Sequence, residues 1–228
     1  MENRIIKYIT NTLNDNKNSK DAIQMQRYLK TTMPFYGVKS PILNTIVNDV
    51  NNLHLISNQE EYNSVIMDIW NLSHREEKYI SIKLARKWKK YITLEALTVY
   101  EKMIREGQWW DFIDPISQGL IGILLMNNRF KMNKILDKWI KDENLWIRRS
   151  AILAHLKHKE NTDYKKMFEY CLKCAHEKEF FIQKSIGWVL REFSKIEPEI
   201  VYAFIQDNEQ NLSNLSKREG MKYIKKNS

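Results

Sequence analysis

The sequence predicts an all-α fold built as a solenoid of stacked, HEAT-like helical repeats. Only 6 of the 228 residues are Gly and 4 are Pro, while hydrophobic residues make up 43% and charged residues 29%. This scarcity of helix breakers in a mixed apolar and charged chain is typical of a globular helical protein. Apolar residues recur at helical spacing, and strand-like alternation is absent. We therefore expect one α-solenoid domain over residues 1–228.

A spacing of 35 residues is the second observation behind this fold class. The segments WDFIDPISQGLIGIL, WIRRSAILAHLKH and FIQKSIGWVLREF place Asp114, Arg149 and Lys184 at equivalent positions, and the same step reaches Tyr79 and Glu219. Such a period indicates stacked repeats, whose equivalent positions lie side by side on one surface. We expect an acid, an arginine and a lysine in a row on that surface.

The individual helices follow from local signals in the sequence. The first, at about 1–13, is amphipathic, and a polar loop separates it from a second at about 22–32. Gly37 and Pro41 mark a turn, and Ser40 is expected to cap the next helix with Pro41 at its first position. Short polar loops separate the later helices, which we expect at about 41–51, 59–70, 74–89, 93–105, 109–125, 129–140, 144–157, 162–174, 179–194, 197–205 and 215–226.

The charge balance limits the class of partner. Lys and Arg outnumber Asp and Glu by 37 to 28, giving a formal charge of +9 that favours a polyanion such as nucleic acid. A merely basic protein is the alternative. The charged N-terminal segment and the lack of an 18-residue apolar run predict no signal peptide, no membrane contact and a cytoplasmic protein. Cys171 and Cys174, in CLKC, are expected to be a buried helical pair rather than a zinc site.

Aromatic residues lie within one helical turn of the ionisable row. Trp110 is four residues before Asp114, and Lys184 is four residues before Trp188, so each pair shares a helix face. The same holds for the Trp146 segment, in which the aromatic residue lies three before the arginine. The row is therefore expected to line a groove that contains one carboxylate and is surrounded by Trp109, Trp110, Trp146 and Trp188.

Two interpretations of this groove remain open from the residues alone. In the structural one, the tryptophans are core residues, and Arg149 or Lys184 bonds to Asp114 to join the repeats. In the functional one, cations neutralise phosphates while Trp faces meet sugars or bases of a nucleic acid. Other chemistries find little support, because no glycine-rich phosphate loop occurs and the His155–His158 pair lacks carboxylate partners. We expect no metal and no cofactor.

The segments QWWDFID, NLWIRRSAIL, EFFIQKSIGWVLREF and LSKREGMKYIKK, with the earlier MQRYLKTTMPFYGVKSP, resemble the AlkD-like DNA alkylation-repair glycosylases. The resemblance runs from about residue 20 to the end, in the family's order. It implies a HEAT-like solenoid with a concave DNA-binding groove. It also implies a catalytic carboxylate at Asp114, aromatic contacts to the damaged nucleotide at Trp110 and Trp188, a groove arginine at Arg149 and a further aromatic at Tyr28.

Two positions depart from the family pattern or add to it. Lys39 stands where the resemblance leads us to expect an uncharged polar residue, and Arg148 adds a cation beside Arg149. We expect both, together with Lys184, to contact DNA. The implied reaction is hydrolysis of the N-glycosidic bond of N3- or N7-alkylated purines, without a base-flipping pocket. Double-stranded DNA with alkylated bases is the expected partner of a monomeric protein. A non-catalytic module for distorted DNA, or a scaffold for an acidic peptide, is the alternative.

Overall fold

The structure, a computed structural model, describes residues 2–224, with side chains from residue 4 onwards, and every regular element in this range is helical. The first helices are α1 (Glu2–Asp15), α2 (Ser19–Leu29), α3 (Ser40–Asn52), α4 (Gln59–Trp70), α5 (Arg75–Lys87) and α6 (Leu97–Gly107). They are followed by α7 (Trp110–Ile116), α8 (Gly122–Asn127), α9 (Arg129–Trp139), α10 (Leu145–Leu153), α11 (Tyr164–Lys173), α12 (Phe180–Phe193), α13 (Pro198–Asp207) and α14 (Asn214–Gly220). Short 3-10 turns at Lys89–Tyr91, Leu94–Ala96 and Lys159–Asn161 connect some of them.

The chain forms two compact units, the first ending at Val99 and the second beginning at Tyr100. In the first unit, α5 packs against α3 and α4; in the second, α10 packs against α7, α9 and α12, and α12 packs against α14. These helices thus pack against neighbours in the sequence, as helices of stacked repeats do. The predicted all-α repeat fold is confirmed, while the single domain and the concave groove stay predictions. Within residues 2–224, no helix combines the length and apolarity needed to cross a membrane.

The boundaries of two helices differ from the predictions because their caps are not the expected ones. Helix α2 begins at Ser19, before the predicted start, because the Asn18 side chain accepts the N–H groups of Lys20 and Asp21. It ends at Leu29 because Lys30 adopts a left-handed conformation. The prediction that Ser40 caps α3 was wrong, since Ser40 is already helical and its predecessor makes no side-chain cap.

The C-terminal helix is shorter than expected. Helix α14 covers Asn214–Gly220 and gives way to a turn. The last residues of the predicted 215–226 helix, Lys225 and Lys226, lie outside the described residues. The two cysteines are buried at the end of α11, as the helical interpretation predicted.

The connection between α2 and α3 is held by a buried carboxylate. Glu76 on α5 accepts the N–H of Tyr36 at 3.1 Å, of Gly37 at 2.7 Å and of Val38 at 3.1 Å. Gly37 has a φ of 82°, and a Cβ there would meet the Asn18 carbonyl oxygen at 2.0 Å. Only glycine therefore fits this close approach.

The segment from α7 to α8 is one continuous helical run with an irregular middle. Pro115 lies inside α7 and has no N–H to donate. The helix then widens into a π-helical turn over Ser117–Ile121. The Ser117 hydroxyl donates to the Ile113 carbonyl at 2.7 Å, and its oxygen lies 2.8 Å from the Ser150 hydroxyl, which ties this turn to α10. This contact sets α7 and α10 side by side.

Candidate active site

Asp114 on α7 and Arg149 on α10 form a two-pronged ion pair. The Arg149 Nε donates to Oδ1 at 2.9 Å, and its Nη2 donates to Oδ2 at 3.0 Å. The remaining Nη1 donates to the Phe181 carbonyl oxygen on α12. Planar guanidinium and carboxylate groups paired in this way fix one another's orientation. The residues that the 35-residue spacing selected are therefore in direct contact.

The pair lies below the protein surface. The Asp114 side chain is 13% exposed and that of Arg149 only 4%. Burial raises the pKa of the Asp114 carboxyl above its ordinary value, and the charge and hydrogen bonds of Arg149 oppose this rise without cancelling it. The carboxylate is thus held rigidly, largely out of water, with its counter-charge on one side.

A cavity of about 390 Å³ opens beside the carboxylate. Trp110 and Trp188 line it and are both partly exposed, so their faces are accessible where Asp114 is reached. The other lining residues are Arg149, Phe180, Phe181, Lys184, Arg191 and Glu219. The structure brings together five of the site residues expected from the sequence: Trp110, Asp114, Arg149, Lys184 and Trp188.

Trp109 and Trp146 serve a different purpose from the one expected. Their ring centroids lie 6.1 Å apart, and each packs on Phe181, at 5.5 Å and 5.0 Å. Trp146 is buried, and neither residue lines the cavity. The expectation that both line the groove was wrong, because helical spacing shows which residues are neighbours but not how deep they lie. Their cluster packs against the segment whose carbonyl oxygen accepts from Arg149.

The arginines at 148 and 149 are both engaged within the protein. Arg149 directs its guanidinium at Asp114 and Phe181, and only 4% of its side chain is exposed. Arg148 bonds to Glu177 at 2.9 and 2.6 Å, and its Nη1 donates to two backbone carbonyls before α10. Both arginines are thus bonded within the protein, and their contact with phosphate stays a prediction.

Lys184 pairs with Glu219 rather than with Asp114. Its Nζ lies 3.2 Å from the Glu219 carboxylate, which links α12 to α14. Arg191, two turns further along α12, reaches the same carboxylate at 2.6 Å. The sequence interpretation did not assign Arg191, although the 35-residue spacing had pointed to Glu219. Both residues line the cavity.

The remaining two expected DNA contacts belong to the first unit. Tyr28 lies near the end of α2 with 75% of its surface exposed. Lys39 is exposed just before α3, where its Nζ lies 3.0 Å from the Asp21 carboxylate. Both side chains are open to solvent and available for a contact.

The two neighbouring histidines, His155 and His158, are both buried. His158 Nε2 bonds to the Gly122 carbonyl oxygen at 2.9 Å. Both ring nitrogens of His155 lack a hydrogen-bond partner among the described residues. Among those residues, no group of three or more His, Cys, Asp or Glu side chains is arranged to hold a metal ion.

Comparison with known proteins agrees with this fold. The family model described as DNA alkylation repair enzyme matches residues 9–224, and the chain belongs to that family. A solved structure described as a predicted DNA alkylation repair enzyme from Enterococcus faecalis is 28% identical, with a TM-score of 0.84 over 92% of this chain and 97% of that one.

A second solved structure, AlkD2 from Streptococcus mutans, is 17% identical, with a TM-score of 0.59 over 78% of this chain and 88% of that one. At this identity the likeness concerns the fold alone. No curated protein sequence matches the chain.

Proposed function

We propose that this protein is a monofunctional DNA glycosylase that hydrolyses the N-glycosidic bond of cationic N3- or N7-alkylated purines in double-stranded DNA. It would act as a cytoplasmic monomer without a cofactor. The observation that carries the proposal is the Asp114 carboxylate, held by Arg149 at a cavity between Trp110 and Trp188. Membership of the DNA alkylation repair family supports it.

The chemistry of the substrate explains why one carboxylate is enough. An N3- or N7-alkylated purine is already cationic, so it leaves with the bonding electron pair as a neutral base and needs no added proton. Positive charge then develops on the deoxyribose. A fixed carboxylate in a site of low dielectric stabilises that charge, and it can accept the proton of the attacking water.

The two tryptophans would assist at the same sugar. Trp110 and Trp188 both line the cavity that contains Asp114. An electron-rich ring face against a sugar with cationic character contributes on the order of 1 kcal/mol per contact. Contact with the sugar and backbone, rather than with the base, would leave the base outside any pocket. Bulky adducts would then be accepted, provided that the base is already labile.

Arg149 has a positioning role in this mechanism. It is bonded through two nitrogens to the carboxylate and through the third to the Phe181 carbonyl oxygen. The guanidinium therefore keeps Asp114 oriented and favours its ionised form against burial. The outer lone pairs of the carboxylate oxygens remain for the sugar and the water.

The decisive experiment is single-turnover release of 7-methylguanine from a defined duplex by the wild type and by Asp114→Asn. The expected loss in the variant is at least about a hundredfold, which corresponds to roughly 2.7 kcal/mol of transition-state stabilisation. Asp207→Asn makes the same change at an exposed residue of α13 and should leave release unaffected. A wild type that binds DNA without releasing base would replace this proposal with a non-catalytic DNA-binding module.

A further inference from the structure

Three cations converge on one buried carboxylate beside the cavity. Lys184 lies 3.2 Å, Arg191 2.6 Å and Lys222 3.2 Å from the oxygens of Glu219. Glu219 is buried, whereas each cation is at least partly exposed. We call Glu219 and these three residues the Glu219 cluster.

The cluster carries an excess of positive charge. Three cations face a single carboxylate, which leaves two positive charges uncompensated. Arg191 also lies 3.7 Å from Glu192, but Glu192 is itself paired with Lys195 at 2.7 Å, so including both keeps the same excess. Burial pushes the pKa of Glu219 upward, but hydrogen bonds from Lys184 and Lys222 outweigh it and leave the pKa below its ordinary value. The carboxylate therefore stays ionised at neutral pH.

The backbone is shaped to admit this carboxylate. Gly187 on α12 faces Glu219 so closely that a Cβ at position 187 would lie 2.6 Å from the Glu219 Cβ. Real side chains do not approach at that distance, so any other residue would displace Glu219 or separate α12 from α14. The glycine thus lets α14 bring its carboxylate under the two cations of α12.

We propose that Lys184 and Arg191, positioned by Glu219, form a phosphate-binding subsite for the DNA strand whose sugar reaches Asp114. Both cations line the same cavity as Asp114, and two positive charges match a phosphodiester with charge to spare. Without Glu219, the neighbouring cations would repel one another and spread into solvent. This inference rests on the proposed function for the identity of the strand, and it assigns Glu219 as a positioning residue.

A purely structural role, in which these ion pairs only join α12 to α14, predicts a different outcome for Glu219→Gln. The substitution removes one negative charge and so raises the net charge of the protein by one. If the ion pairs were only structural, this change in charge would strengthen DNA binding. Loss of positioning would instead weaken binding, by about tenfold for one charge-assisted phosphate contact. Glu199→Gln, at an exposed residue of α13, makes the same charge change and should not weaken binding.

A more specific test removes the negative charge of a single phosphate in the DNA instead of changing the protein. Duplexes containing a stable tetrahydrofuran abasic analogue would carry one uncharged methylphosphonate linkage, placed in turn on each side of the analogue. For the wild type, one linkage position should weaken binding by about tenfold. For Lys184→Met and Arg191→Met, the same linkage should have little further effect, because the contact is already lost.

These binding measurements test the phosphate-binding subsite independently of the proposed glycosylase reaction. Binding to the analogue requires no base release, so the subsite can be established even if the wild type proves inactive. Equal sensitivity to every linkage in wild type and both variants would overturn the subsite, whether or not 7-methylguanine is released. Thermal unfolding of each variant shows that it is folded, and Arg191→Lys, which keeps the charge, should retain most of the sensitivity.

Discussion

His155 gives the protein a stability that depends on pH. The imidazole is fully buried, and both of its nitrogens lack hydrogen-bond partners among the described residues. Burial, with smaller contributions from His158, Arg129 and Lys166, lowers its pKa to about 3. The Tyr170 ring packs edge-on against it at 5.5 Å. A proton therefore binds the unfolded chain, where the ordinary pKa is 6.5, far more readily than the folded one.

The sign and size of the effect follow from linkage. A group whose pKa is depressed in the folded state contributes stability above its unfolded pKa, and this stability is lost as pH falls towards the folded pKa. The pKa of His155 is 6.5 in the unfolded chain and about 3 in the folded protein. Lowering the pH from 7.5 to 5 should therefore reduce the free energy of unfolding by about 2 kcal/mol.

The assay compares urea unfolding of the wild type and His155→Leu at pH 7.5 and pH 5. The wild type should lose about 2 kcal/mol more than the variant over this interval. At pH 7.5 an apolar replacement should cost little, because no hydrogen bond is broken. His176→Leu, at an exposed residue, should leave the pH dependence unchanged. Equal losses in wild type and His155→Leu would refute the reasoning.

Two further predictions concern buried charges. Arg149→Met removes the counter-charge of Asp114, so the pKa of that carboxyl, already raised by burial, should rise further. Because the proposed base release needs an ionised Asp114, the acid limb of the single-turnover pH profile should move to higher pH. An acid limb that does not move would contradict the proposed orienting role of Arg149. Glu76→Gln should lower the free energy of unfolding by about 1.5–3 kcal/mol, since a charged acceptor of three backbone N–H groups is lost. Urea unfolding measures this, and the exposed Glu60→Gln should change it by less than about 0.5 kcal/mol.

The sequence predicted neighbours better than it predicted burial. The 35-residue spacing placed Asp114 one step before Arg149 and Lys184 one step before Glu219, and the structure shows a contact at each of these steps. The bond from Lys184 to Asp114 that the sequence left open is not formed. Whether a cation points into the protein depends on which carbonyl and carboxylate groups surround it, and spacing carries no such information. Arg149 was therefore assigned to phosphate, although its three nitrogens are satisfied inside the protein.

The role of Glu76 lay beyond sequence reasoning for a different reason. Its partners are backbone N–H groups, which every residue except proline has, so no residue pattern reveals the contact. The cap of α2 by Asn18 is a different case, because a polar residue before an apolar helical run is a signal that sequence reasoning can recognise. The boundaries of α4, with its cap Asn58 and an ordinary apolar period, were predicted without error.

The π-helical turn at Ser117–Ile121 lies between α7, which carries Asp114, and α8. It allows the direction of the Asp114 side chain and the packing of α8 to be set independently. A π turn contains one residue more than an α turn, and one residue rotates a helix by about 100°. Deleting a single residue there would restore a regular helix and swing Gly122 away from the Ala154 carbonyl, where a Cβ would be only 2.9 Å distant. The extra residue thus rotates α8 relative to α7. As a result, α7, which carries Asp114, and α8, which carries Gly122, each keep their own orientation.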